Sequence, residues 1–72
     1  MIVLTDKHRE LLAKYMPDYE KYDDFGDFLL ALDEVMLESL DENYEGTDET
    51  TIIARLYDRI FYLNKYGEHY EL

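Results

Sequence analysis

Carboxylates are the side chains of this chain that could do chemistry, because 18 of its 72 residues are Asp or Glu and none is Cys. Four of the carboxylates recur in the middle of the chain at intervals of seven, four and three residues: Asp27, Glu34, Glu38 and Asp41. Such steps place side chains on one side of an α-helix. A row of carboxylates attracts a basic surface, whereas acid–base catalysis needs a pocket that shifts the pKa of one member. The row therefore predicts an electrostatic binding face on a helix.

A loop over residues 41–52, DENYEGTDETTI, partly matches the calcium-binding helix–loop–helix pattern. It offers oxygen ligands or the required glycine at positions 1, 3, 5, 6 and 9 of that pattern, namely Asp41, Asn43, Glu45, Gly46 and Glu49. Position 12 should be a bidentate Glu and is Ile52, which cannot coordinate a cation. We therefore expect no metal site, and retain weak binding of a divalent cation by Asp41, Asn43, Glu45 and Glu49 as the second alternative function.

Tyrosine is unusually frequent, with eight residues, and it is favoured at contact surfaces because it offers a large area at low conformational-entropy cost. Three tyrosines lie in or beside the acidic segment and are assigned to the binding face: Tyr19, Tyr22 and Tyr44. Later in the chain a second stripe has helical spacing, formed by Arg55, Arg59, Tyr62 and Tyr66. This stripe is either a contact patch or a cover for a thin core, with its arginines neutralising the central acids.

Nothing in the sequence indicates an enzyme or a bound cofactor. The triplet Asp24-Phe25-Gly26 matches the metal-binding triplet of kinases, but the chain lacks the other kinase motifs. Ser39 has no glycine-rich elbow, and His8 is expected at the edge of the core. We therefore predict a non-enzymatic protein.

The charge of the chain is concentrated in its middle third. Residues 17–50 hold thirteen acids against Lys21, a net charge of −12, and the whole chain carries −11. A field of one sign repels nucleic acid and anionic membranes and attracts basic partners. We expect the partner to be a basic protein surface, with no direct contact to nucleic acid or membrane. With no cysteine, no signal peptide and no apolar run near the roughly 18 residues of a membrane span, the expected location is the cytoplasm.

Three helices can position these residues. Apolar residues at i, i+3, i+4 and i+7 predict helices over about 6–16, 24–42 and 48–66. Thr5 or Asp6 is a suitable N-cap for the first helix, Pro17 ends it and starts a short helical turn, and Gly67 is a suitable C-cap for the third. Short connections then give an all-α fold, a small antiparallel three-helix bundle in a single domain over residues 1–72, with a frayed tail after Gly67.

Two leucines beside the main apolar stripe of the central helix bear on its packing. Leu30 and Leu37 widen that stripe, which predicts that the helix packs between two neighbours or that the leucines line a homodimer seam. Asp33 falls inside the widened arc, and we expect it to pair with an arginine of the third helix.

The function that these features favour is non-enzymatic binding of a basic protein surface, for example the nucleic-acid-binding site of a partner. The alternative is a structural or self-associating accessory domain whose acidity serves solubility. The acidic, tyrosine-rich helical composition is similar to that of bacterial nuclease-immunity proteins and of phage-encoded inhibitors that imitate nucleic acid. No motif assigns the chain to either group.

Overall fold

The computed structural model describes residues 2–70, which form three α-helices around one core. The elements are α1 (Asp6–Tyr15), a 3₁₀ turn (Tyr19–Lys21), α2 (Phe25–Glu38) and α3 (Asp48–Tyr66). Both α1 and α2 pack on α3, which confirms the predicted all-α three-helix bundle and the helical turn after Pro17. Within this part of the chain, no helix is long and apolar enough to cross a bilayer.

The core receives apolar side chains from all three helices and from the residue that follows α1. Its buried members are Leu12, Met16, Phe28, Leu32, Ile53, Leu56 and Ile60. Complete burial of such a side chain contributes about 1.5–3 kcal/mol, so these seven residues are the main apolar contribution to the fold.

The first helix begins with a reciprocal cap. The Thr5 hydroxyl accepts the backbone N–H of His8 at 3.1 Å, and Nδ1 of His8 accepts the backbone N–H of Thr5 at 3.2 Å. These bonds satisfy amides that the first turn of a helix leaves unpaired. His8 is 1% exposed, so it lies within the core and not at the expected edge.

The second helix ends at Glu38, four residues before the predicted end at 42. The Ser39 hydroxyl donates to the Met36 carbonyl, and the Thr47 hydroxyl donates to the Ser39 carbonyl at 3.0 Å. Side-chain hydrogen bonds of this kind compete with the next helical turn, although the apolar spacing continues to Leu40. Asp41 therefore lies beyond α2.

The third helix has the predicted bounds, with Thr47 as N-cap and Gly67 as C-cap. Gly67 is left-handed (φ 71°), a conformation that glycine adopts without strain, and the chain reverses there. The backbone N–H of Glu68 then bonds the Tyr62 carbonyl at 3.3 Å, and the ring of Tyr70 packs on that of Tyr62. Residues 68–70 have no regular secondary structure and are exposed, and residues 71 and 72 of the predicted tail lie outside the described part.

A pair of hydrogen bonds joins the two ends of the described chain. The backbone N–H of Val3 donates to Oδ1 of Asn64 at 2.7 Å, and Nδ2 of Asn64 donates to the Val3 carbonyl at 2.8 Å. This Val3–Asn64 clamp holds the segment before α1 against the last turns of α3.

Candidate binding surface

One side of α2 points away from the core and combines apolar and acidic groups. We call it the outer face of α2, and it consists of Asp27, Leu30, Glu34, Leu37 and Glu38, all of them exposed. Leu30 and Leu37 are 65% and 58% exposed, so the expectation that they contact a second neighbouring helix was wrong for the folded chain. A shallow depression of about 290 Å³ lies on this face, lined by Tyr22, Asp27, Leu30, Ala31 and Glu34.

The carboxylates of the outer face are not neutralised from within residues 2–70. The ion pairs found there join Lys7 to Glu10, Arg9 to Asp6, and Lys21 to Asp18. None of them involves an acid of α2, and the expected ion pair of Asp33 with an arginine of α3 is not among them. These ion pairs likewise do not include Asp27, Glu34 or Glu38, the acids of the outer face.

Lys21 is the one cation of the acidic segment 17–50, and it is already engaged. Its ammonium group is 2.8 Å from the Asp18 carboxylate and 5.1 Å from the centre of the Tyr22 ring. The hydrogen bond with Asp18 raises the pKa of Lys21 and lowers that of Asp18. Lys21 is therefore held at the 3₁₀ turn, before α2 begins.

Asp41 was predicted to continue the acidic row, and the structure corrects this. Its Oδ1 accepts the backbone N–H groups of Asn43 at 2.8 Å and of Glu45 at 3.0 Å. The carboxylate therefore shapes the loop after α2, as Asp side chains commonly do in turns. Among the described residues, no group of three or more His, Cys, Asp or Glu side chains is placed to hold a metal ion, and this holds for Asp41, Glu45 and Glu49 of the weak metal candidates.

The three tyrosines assigned to the binding face occupy different environments. Tyr44 is 85% exposed at the tip of the loop, with a left-handed backbone (φ 61°). Tyr19 and Tyr22 are half-buried and pack against the core, where the sequence had placed them away from it. The Tyr22 ring meets Phe28 edge-on, with 6.5 Å between ring centres. Tyr22 therefore joins the core to the surface of α2.

A second depression, which we call the tyrosine pocket, lies between the N-terminal segment and the 3₁₀ turn. It has a volume of about 400 Å³ and is lined by Ile2, Leu4, Arg9, Tyr19, Glu20, Tyr22, Asp23 and Phe28. No sequence pattern predicted this pocket, because residues 2–4 meet residues 19–23 only in the folded chain. Tyr22 lines both the tyrosine pocket and the depression on the outer face.

The stripe predicted on α3 becomes an aromatic cluster at its C-terminal end. Tyr62 and Tyr66 contact Phe61 with ring centres 5.7 and 6.3 Å away, and Tyr70 joins them at 5.9 Å from Tyr62. The Arg59 guanidinium lies 5.5 Å from the Tyr70 ring, and a 2.7 Å hydrogen bond to Glu68 raises the Tyr70 pKa. The rings contact one another, while Tyr62, Tyr66 and Tyr70 remain 39%, 59% and 45% exposed, so the cluster lies on the surface and not over the core.

The fold and surface define a class of protein: a small all-α bundle that exposes one acidic and apolar helix face. Comparison of the chain with family models, with curated proteins and with solved structures finds no match. Function is therefore inferred from the outer face of α2 itself.

Proposed function

We propose that the protein is a non-enzymatic binding protein that engages a basic protein surface through the outer face of α2. The observation that supports this is the combination of two exposed leucines with unneutralised carboxylates on one helix that has no Lys or Arg. Apolar anchors surrounded by polar groups are the usual anatomy of a protein interface. The absence of cysteine is consistent with action in the cytoplasm.

Solubility alone explains the carboxylates but not the leucines. Complete burial of a leucine side chain contributes about 1.5–3 kcal/mol, so Leu30 and Leu37 would supply affinity when a partner covers them. The carboxylates would attract a basic partner over distances of about a Debye length, roughly 10 Å at 0.1 M salt. A nucleic-acid-binding protein or a nuclease presents such a surface.

Self-association is the second candidate, since the exposed leucines could also meet their copies in a homodimer. In a two-fold contact the same patch faces itself, so the carboxylates of Asp27, Glu34 and Glu38 would approach those of the other copy. Like charges brought together across an interface are costly. The outer face therefore suits a basic partner better than a second copy.

Charge reversal on α2 tests the proposal. Glu34→Lys with Glu38→Lys should leave the helical circular dichroism spectrum intact, because both side chains are exposed. Proteins captured from host lysate by the unaltered chain should be lost with this variant. Association with a purified captured protein should become slower and less sensitive to salt.

A matched control separates a specific face from bulk charge. Glu45→Lys with Asp58→Lys makes the same charge change at exposed positions outside the outer face. An equal loss of binding in both variants would refute the proposal, and so would unchanged binding in both. Leu30→Ser with Leu37→Ser should speed dissociation, and sedimentation of the unaltered chain as a dimer that this variant disrupts would favour the homodimer.

A further inference from the structure

We propose that the tyrosine pocket receives the side chain of a lysine or arginine supplied by the basic partner. That a basic protein partner supplies this side chain rests on the proposed function. The preference of the pocket for a cation on an aliphatic stem does not rest on it. It can be measured with small molecules.

The lining of the tyrosine pocket combines the three features that such a side chain needs. Ile2 and Leu4, which are partly exposed, offer apolar surface for a methylene stem. Tyr19 and Tyr22 offer rings, whose faces attract cations. Glu20 and Asp23 offer exposed carboxylates for the charged end. The volume of about 400 Å³ lies within the range of small-ligand pockets.

Two observations favour a cation over an anion or a neutral group. The Tyr22 ring already has the Lys21 ammonium 5.1 Å from its centre, so its surroundings accept a positive charge. Glu20 and Asp23 outnumber Arg9 in the lining, and the Arg9 guanidinium lies 3.7 Å from the Asp6 carboxylate. The charged groups that line the pocket therefore favour a cation over an anion.

Tyr22 also explains how one partner could use both depressions. Its side chain lines the tyrosine pocket and, on another side, the depression shared with Asp27 and Leu30. A segment lying on the outer face of α2 would pass this residue at the start of the helix. A basic side chain at that point of the segment would enter the pocket.

Nuclear magnetic resonance titration at fixed ionic strength tests the inference with three probes of similar length: n-butylammonium, n-propylguanidinium and neutral n-butanol. Both cations should shift the resonances of Ile2, Leu4, Tyr22 and Phe28 saturably. They should bind roughly two- to fivefold more tightly than n-butanol, the ratio expected for a cation–π contact at an exposed site. Glu20→Gln with Asp23→Asn should weaken the binding of both cations, because it removes the carboxylates and keeps the rings, and should leave n-butanol binding unchanged.

Glu45→Gln with Asp58→Asn is the matched control, because it removes the same charge away from the pocket and should preserve the preference. Equal binding of n-butanol and the cations would overturn the inference, as would equal loss in both variants. Cation-induced shifts confined to Glu34 and Glu38 would also overturn it. The two proposals can fail separately. If Glu34→Lys with Glu38→Lys leaves partner binding unchanged while the pocket still prefers cations, the proposed function is refuted and the cation site is supported.

Discussion

At the scale of single residues, His8 combines a core position with a helix-capping bond. Its Nδ1 accepts the backbone N–H of Thr5, which requires an unprotonated nitrogen. Burial lowers the pKa of His8 below its usual 6.5, and the nearby charge of His69 lowers it further. Protonation would place a charge in the core and remove one bond of the cap.

This gives a pH prediction for the stability of the fold. The folded chain binds a proton on His8 less tightly than the unfolded chain does. The contribution of His8 to the free energy of unfolding is therefore fully present above about pH 6.5. It is lost as the pH falls from there through the lowered pKa. His8→Gln retains a capping side chain without titrating there, so its unfolding free energy should depend less on pH between 7.5 and 5. Urea unfolding at stepped pH measures this, and parallel curves for the two proteins would refute it.

The exposed acids of the outer face show what residue patterns could and could not predict. Helical spacing placed Asp27, Glu34 and Glu38 correctly on the side away from the core. It could not show whether Leu30 and Leu37 meet a neighbour, because stripe width says nothing about which helices exist to cover it. The tyrosine pocket could not be predicted, since its lining comes from separate segments.

At the scale of elements, a hydroxyl cluster joins the end of α2 to the start of α3. Oγ1 of Thr50 lies 2.6 Å from the Ser39 hydroxyl and accepts the backbone N–H of Thr47 at 3.1 Å. The sequence predicted where α3 starts but extended α2 past Ser39. Apolar periodicity marks the buried side of a helix, whereas its end depends on hydrogen bonds to residues eight or more positions away.

Thr50→Val should test this cluster. Valine keeps the branched shape but removes the oxygen, so we expect stability to fall by about 0.5–2 kcal/mol, the range for a lost helix cap. Thr51→Val is the matched control, because Thr51 is exposed and bonds only the Thr47 carbonyl at 3.3 Å. Chemical denaturation compares the two, and equal losses would show that the cluster has no special role.

At the scale of the whole molecule, the net charge of −11 opposes the compact state. With the acids of α2 unpaired within residues 2–70, screening should relieve their mutual repulsion. The melting temperature at neutral pH should therefore rise between low and moderate salt. The rise should be smaller in the variant with Glu34→Lys and Glu38→Lys. A melting temperature that does not change with salt concentration in either protein would contradict the prediction.

The Val3–Asn64 clamp has a consequence for the order of folding. It joins residues 61 positions apart, whereas α2 and α3 follow one another along the chain. Closing a long segment costs more entropy than closing a short one, so the α2–α3 pair should form before the clamp. Asn64→Ala removes the two bonds of the clamp and the bond from Nδ2 to the Ile60 carbonyl. These neutral bonds together contribute about 1 kcal/mol or somewhat more, so the variant should unfold at least about fivefold faster. Stopped-flow kinetics should show refolding at nearly its original rate; slower refolding would mean that the two ends meet early.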